Sequence, residues 1–377
     1  MRKYTKEKAV EQMNRWGQAR QPFLFLIDYN QEQIYADPPE HISSAEVLYD
    51  FNGYANRGNR SFFSSQGEAE ETGDDKLLSK KEPGKDDKEK ANGKDEANEA
   101  NEAKEENREN RKPENSGIRW RPFPQSLEDY AVSFRKVKDA ILSGNSYLAN
   151  LTCSTPVETN LTLQDIFDRS AAPYKLWMKD RMVVFSPEIF VRTTGDFIYS
   201  YPMKGTIDAS IPQAREKIRK DPKETAEHAT IVDLIRNDLS QIATEVNVRR
   251  FRYIEEIPTH KGPLLQVSSE IEGKLPEGWR DRLGTLLFRL LPAGSVTGAP
   301  KKKTVEIIAG AETYARGFYT GVMGYFDGSR LDSAVMIRFL EQTPEGLFFK
   351  SGGGITSRSD LLSEYEEMKR KIYVPVR

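Results

Sequence analysis

The chain has 377 residues, with 56 basic against 58 acidic side chains and a formal net charge of −2, so no global field marks it for nucleic acid or an anionic membrane. Hydrophobic residues make up 37% and charged residues 30%, polar for a globular enzyme, and the polar excess is local. The one cysteine, Cys153, cannot close an internal disulfide, which suits a reducing compartment, with the cytoplasm as the default.

Residues 1–17 are charged and lack the apolar core of a signal peptide, and the apolar run 22–27 is far too short to span a bilayer. Residues 1–63 are read as a helix followed by an apolar strand at 23–27, a short N-terminal part of the same fold as the rest. Residues 64–117 contain no aromatic residue, valine or isoleucine and repeat Asn-Glu-Ala. Such a segment cannot bury enough apolar area to offset its ordering entropy and is read as a disordered, low-complexity insertion. About 320 residues remain, and 118–377 carry nearly all the chemistry. There the pattern predicts a helix over 126–142, a strand over 146–154, and a hairpin over 181–203 bending at Gly195-Asp196. A long helical region over 212–243 is interrupted near Asp221-Pro222, and strands follow at 322–326, 333–340 and 347–350. The order is not a βαβ alternation, so the fold class is α+β with a largely antiparallel sheet. No G-x-G-x-x-G or P-loop follows a strand, which removes nucleotide-binding readings.

Five segments hold polar residues that a core would not need. Glu188 sits in an apolar strand; it is either an outward-facing residue or an acid/base whose pKa burial raises. Lys204, at the far end of the same hairpin, falls in its neighbourhood, as a salt-bridge partner or as a partly desolvated nucleophile. Pro187 and Pro202 disturb the ladder, leaving open whether the two share a face. Glu227 shares a helical side with Ile231, Leu234 and Asp238, which fits a metal ligand or a structural ion pair. Residues 291–301, LPAGSVTGAPK, form a turn feeding a helix with Pro300 near its first position, either an anion seat or a tightly packed turn. Three glycines, Gly352 to Gly354, precede a helix capped by Ser359 or Asp360. They can aim backbone N–H groups at a carboxylate. On that helix Glu364, Glu367 and Lys371 fall at i, i+3 and i+7, a salt-bridged stripe or a cation site beside an anion contact.

SPEIF, PMKGT, AEHATIVDLIRNDL, LPAGSVTGAPK, and GGGI followed by EYEEMKRK resemble, in order and spacing, the chorismate-utilising enzymes, which include anthranilate, isochorismate, salicylate and aminodeoxychorismate synthases. The resemblance runs from about residue 143 to the C-terminus. It implies a large α+β body of antiparallel sheets flanked by helices, with 118–377 as the chorismate-binding catalytic domain. Lysine in the KGT motif is typical of the aminating branch, aminodeoxychorismate synthase component I. The resemblance then makes Lys204 the residue that attacks C2 of chorismate and Glu188 the acid/base that assists departure of the C4 hydroxyl. It assigns Mg2+ to Glu227 and Glu367 with Glu364 nearby, a substrate carboxylate to Arg338, Lys371, Gly353 and Gly354, and lining positions to Thr297 and Tyr325. Few protein carboxylates suit magnesium, which keeps several waters. The alternative is anthranilate synthase component I or another chorismate-utilising enzyme. Where isochorismate-type relatives carry a water-activating lysine this chain has Leu148, where others have glutamine, and Gln266 stands near a position often occupied by histidine. No tryptophan-binding half, glutamine-amidotransferase signature or following lyase segment is evident. The expectation is therefore no tryptophan inhibition, ammonia from a separate glutaminase subunit or from solution, and release of 4-aminobenzoate by another protein.

Overall fold

The computed structural model describes residues 1–57, 117–220, 222–257 and 263–375. The insertion expected at 64–117 lies outside the described residues except for Gly117. No helix among the described residues is long and apolar enough to cross a membrane.

The α+β expectation holds: the described residues form two antiparallel sheets of ten and nine strands, with helices against their outer faces. In the first sheet Phe23–Ile27 pairs with Val322–Phe326, which pairs with Leu331–Val335, then Ile189–Thr194 and Phe197–Ser200. The long strand Leu264–Lys274 continues this sheet, pairing with Phe197–Ser200, Met203–Asp208 and Thr244–Ile257. In the second sheet Leu148–Thr159 lies beside Gly346–Thr356, followed by Phe339–Thr343, Met182–Ser186, Tyr174–Met178 and Val47–Phe51. Strands from both ends of the chain therefore share each sheet.

Strand periodicity explains the unbroken apolar runs. In Phe23–Ile27 every residue is buried. Phe23, Phe25 and Ile27 pack with Met13 and Trp16 of helix Lys6–Gln18 and with helix Leu283–Leu290. Leu24 and Leu26 point the other way, into a layer shared with Tyr174, Leu176, Met182 and Val184 of the second sheet. Side chains alternate at period two, so a strand covered on both faces reads as continuous hydrophobe. The second sheet repeats the device, with Val183, Phe185 and Phe349 under helices Leu127–Leu142 and Leu361–Arg370. Helix Leu127–Leu142 starts where Ser126 Oγ accepts the Asp129 N–H at 3.1 Å, and it buries Tyr130, Phe134, Val137 and Ile141.

Three expected elements differ. The hairpin bends at Gly195-Asp196, with Thr194 opposite Phe197, but it spans only Ile189–Ser200. Met182–Ser186 belongs to the other sheet, and Met203–Asp208 leaves the hairpin to pair with Leu264–Lys274. The strand expected over 333–340 likewise breaks in two, Leu331–Val335 in one sheet and Phe339–Thr343 in the other. Both breaks are crossings from sheet to sheet, and they run side by side: Val335 N–H donates to Glu188 O at 3.0 Å and Phe185 N–H to Arg338 O at 3.2 Å. The crossing sets Arg338 at φ 53°, in the left-handed region, a conformation costing a non-glycine residue about 1–3 kcal/mol. The strand expected at 347–350 is longer, Gly346–Thr356, so its three glycines lie within the sheet. Pro300 is the N-cap of helix Lys301–Ala311 and not its first helical residue.

A buried ion pair ties the second sheet to the turn before that helix. Arg316 and Glu312 side chains are each 3% exposed, and Arg316 Nη2 donates to Glu312 Oε1 at 2.7 Å. Arg316 also donates to Asn150 O at 2.6 Å and Val296 O at 2.8 Å, while Glu312 accepts the Thr152 N–H at 2.8 Å. Removing one partner strands the other charge in the core. Arg316→Met is expected to lose roughly 3–5 kcal/mol in urea unfolding, and adding Glu312→Leu should return part of that loss. A single variant as stable as the parent would refute this role.

Candidate active site

The seam between the sheets opens into a cavity of about 150 Å³. The two crossings bring Glu188 and Arg338 to its wall, and strand Met203–Asp208 brings Lys204. Helix Pro222–Ser240 contributes Glu227 and Ile231, and the turn after Leu291 contributes Ser295, Val296 and Gly298. Leu148, Asn150, Gly353, Gly354 and Lys371 close the remaining side. All five segments singled out in the sequence meet here. Gly298, at φ 123°, lets the turn lie against the sheet: a methyl group on it would stand 1.9 Å from Leu148 O, so no other residue fits.

Both lysines of the cavity wall are ion-paired, Lys371 with a carboxylate of the helix it ends. Lys204 Nζ lies 2.8 Å from Glu227 Oε2, and Lys371 Nζ lies 2.8 Å from Glu367 Oε1 and donates to Gly352 O at 2.8 Å. Burial works to lower the Lys204 pKa, but the charge and hydrogen bond of Glu227, with Glu367 and Glu224 behind, outweigh it and hold the amine above the ordinary lysine range. Of the two sequence alternatives for Lys204, the ion pair is what this arrangement displays. Burial lowers Lys371, helped by the charges of Arg338 and Lys204 and opposed by Glu367. Burial pushes Glu188 up; a hydrogen bond from Ser295 Oγ at 2.5 Å and the charges of Arg338 and Lys371 pull it back without cancelling the rise. Next to Glu227 on its helix, His228 is pushed down to about 4 by burial and by the charges of Arg252 and Lys204, so the imidazole is neutral beside the site. Arg338 lines the cavity with its guanidinium over the Tyr373 ring, and its buried Nε is without a hydrogen-bond partner among the described residues.

The carboxylates expected to hold a metal come from two helices, Pro222–Ser240 and Leu361–Arg370. A methyl group on Gly353 would lie 3.5 Å from Glu364 Oε2 and 3.6 Å from Glu367 Oε1, while Glu227 stands at Lys204. No group of three His, Cys, Asp or Glu residues within metal-holding reach occurs among the described residues. Hard oxygen donors in such small number fit magnesium better than metals that need a full protein cage. Two of the three cations lining the cavity, Lys204 and Lys371, are already held by Glu227 and Glu367, so an anionic ligand would gain from further positive charge.

Two expected lining residues lie elsewhere. Thr297 is fully buried, and its hydroxyl donates to Ala293 O at 2.8 Å; its neighbour Ser295 faces the cavity instead. Tyr325 points between the sheets, its ring stacked on Tyr54 with centroids 3.7 Å apart, and Tyr319 lines the cavity. The short helical turn Gly294–Val296 rotates Thr297 inward, and Tyr319 precedes the strand Val322–Phe326 in which Tyr325 is locked. Ser295 and Tyr319 lie two and six residues from the expected positions, while Asn150 carried no sequence signal beyond its place in a strand. Leu148 does reach the cavity wall, and Gln266 sits opposite Thr206 in the first sheet.

A family model for chorismate binding enzymes matches residues 1–377. An uncharacterised PabA-like protein of Pasteurella multocida is 43% identical over 367 residues, covering 97% of this chain and 98% of that protein. The aminodeoxychorismate synthase component 1 of Bacillus subtilis is 30% identical over 281 residues, 70% of this chain and 57% of that protein. Among solved structures, anthranilate synthase component I from Streptococcus pneumoniae superposes with a TM-score of 0.56 at 25% identity, over 68% of this chain and 59% of that one.

The Ser295 hydrogen bond stabilises the ionised form of Glu188, so its loss must raise the carboxyl's pKa further. In Ser295→Ala, a 13C titration of labelled glutamate should show Glu188 protonating at higher pH than in the parent. An unmoved or lowered titration would show that the hydroxyl does not tune this carboxyl.

Proposed function

The chain belongs to the chorismate-binding enzyme family, and from that footing we propose that it is the aminating subunit of an aminodeoxychorismate synthase, converting chorismate and ammonia to 4-amino-4-deoxychorismate. The observation that carries this reading is the Lys204 amine on the cavity wall, within hydrogen-bond distance of Glu227 and in the same cavity as Glu188. The 30% identity to a protein named aminodeoxychorismate synthase component 1 supports it.

Chorismate is a dianion carrying one ring hydroxyl. In the proposed binding mode one carboxylate meets Arg338, whose planar fork suits it, with Lys371 beside it. Lys204, having given its proton to water in the cavity, forms a bond from its lone pair to C2. The two ring double bonds shift along the ring and the C4–O bond breaks, the hydroxyl leaving as water with a proton from Glu188. Burial of Glu188 raises its pKa and so favours the protonated form that this step uses. Ammonia then bonds to C4, the double bonds return, and the C2–N bond breaks to regenerate Lys204, while Glu188 recovers a proton from the new amine. Glu227, Glu364 and Glu367 would hold a magnesium ion, which would supply positive charge for the second carboxylate. Leu148 at the cavity wall offers no group to activate water, which favours amination over hydration at the ring.

The ammonia is proposed to come from a glutamine amidotransferase partner, a reading supported by the PabA-like name of the Pasteurella relative. The product would be a precursor of 4-aminobenzoate and so of folate.

Purified protein incubated with chorismate, ammonium and magnesium should yield 4-amino-4-deoxychorismate by chromatography and mass spectrometry. Anthranilate or isochorismate as the main product would overturn the assignment. Lys204→Ala should lose turnover on the order of 10³-fold or more while still binding chorismate. Unchanged turnover would reduce Lys204 to a salt-bridge partner.

A further inference from the structure

Asn150 is among the polar residues of the cavity that have no part in the steps above. Asn150 stands on strand Leu148–Thr159, two residues from Leu148 and so on the same face, and both line the cavity. Its backbone is fixed on two sides. The N–H donates to Thr297 O at 3.0 Å, and the carbonyl accepts from Arg316 Nη2 at 2.6 Å. Arg316 is itself locked by Glu312. The side-chain amide is the contrary case: its oxygen is buried without a hydrogen-bond partner among the described residues. A buried amide oxygen left unmet is costly, and a rigidly seated one on a cavity wall is explained when a ligand supplies the missing group.

The character of the wall says which group. Arg338, Lys371 and Lys204 present charge and suit carboxylates. The amide of Asn150 is neutral, offers an acceptor and two donors, and is flanked by the apolar Leu148 and the bare backbone of Gly354, its partner in the strand register. Such a group neither needs nor rewards a charged ligand. It matches a hydroxyl, which donates and accepts in turn. We propose that Asn150 reads the ring hydroxyl of the bound substrate, so that the site distinguishes a hydroxylated ring from one lacking that group. This deepens the reading above and rests on its substrate, chorismate, but not on which product is formed.

The test is a binding measurement. Chorismate and its analogue lacking the ring hydroxyl are titrated calorimetrically into the wild-type protein, Asn150→Leu and Asn150→Ala, at one magnesium concentration. The wild type is expected to prefer chorismate by about tenfold or more, and both variants should lose that preference while keeping the wild-type affinity for the analogue. Equal loss of affinity for both ligands would mark Asn150 as a structural support only and overturn the proposal. So would a preference retained in the variants, or no preference in the wild type. Thermal unfolding of each variant confirms that the comparison is between folded proteins, and Asn150→Ala stands in if the leucine overpacks. An enzyme that bound chorismate with this preference yet formed another product would refute the amination reading and leave the role of Asn150 intact.

Discussion

Two neighbouring strands change sheets at the same place, and the site depends on that constraint. When a chain leaves a sheet its backbone groups lose their ladder partners, and buried orphans are costly. Here the two crossings satisfy one another, Val335 N–H to Glu188 O and Phe185 N–H to Arg338 O. Other backbone groups of the crossings find partners close by, Glu188 N–H on Ser186 Oγ and Met336 N–H on Gly321 O, so the Glu188 and Arg338 side chains are not needed to cap the backbone. Because the crossings lie where the two sheets part, Glu188 and Arg338 face the gap between them, and that gap is the cavity. Elsewhere the space between the sheets is filled by residues such as Leu24, Leu176, Met323 and Phe339.

The electrostatics of the cavity follow from its position. It is walled by low-dielectric core, so each charge is either paired or left waiting. Lys204 is paired with Glu227 and Lys371 with Glu367, while Arg338 keeps an unmet donor. An anion entering such a site meets the Arg338 donor already in place, but to engage Lys204 or Lys371 it must compete with their present carboxylate partners. The same pairing restrains the chemistry. A lysine held by a carboxylate at 2.8 Å stays charged while that pair lasts, so in the proposed mechanism Lys204 can act only once Glu227 has turned away from it.

Much of this was legible from the sequence. The apolar strand at 23–27, the helix over 126–142 and the Gly195-Asp196 bend were read from hydrophobic pattern and turn chemistry, which are local signals. All five polar segments converge in space, as their departure from core composition suggested. What the sequence concealed was where strands end. Residues 333–340 read as one strand because Val335, Met336 and Phe339 are buried on both sides of the crossing, and nothing in apolar character marks a change of sheet. The shared face of Glu188 and Lys204 could not be deduced either, since Met203–Asp208 takes Leu264–Lys274 as its partner, a contact distant in sequence. Thr297 and Tyr325 show the finer version of the problem. Motif position placed each within a few residues of a cavity position, but a short helical turn and strand parity decide which hydroxyl faces the ligand.

The Arg316–Glu312 pair shows why a costly interaction is retained behind such a site. A buried ion pair is weak ground for stability, since apolar residues of similar volume often serve as well. This one does more than cancel its own charges. Arg316 caps the carbonyls of Asn150 and Val296, and Glu312 takes the Thr152 N–H. Among the described residues the strand holding Asn150 and Thr152 pairs with Gly298–Ala299 up to Ala149 and with Trp120–Pro122 from Val157 onward, and neither reaches Thr152. In the gap between them sheet pairing cannot serve those backbone groups, and an apolar replacement would leave them unmet. A guanidinium and a carboxylate reach across where a further strand would otherwise have to run, and a strand there would fill the space that Asn150 and Ser295 border. The ion pair is thus what allows the sheet edge to be both buried and open to a ligand.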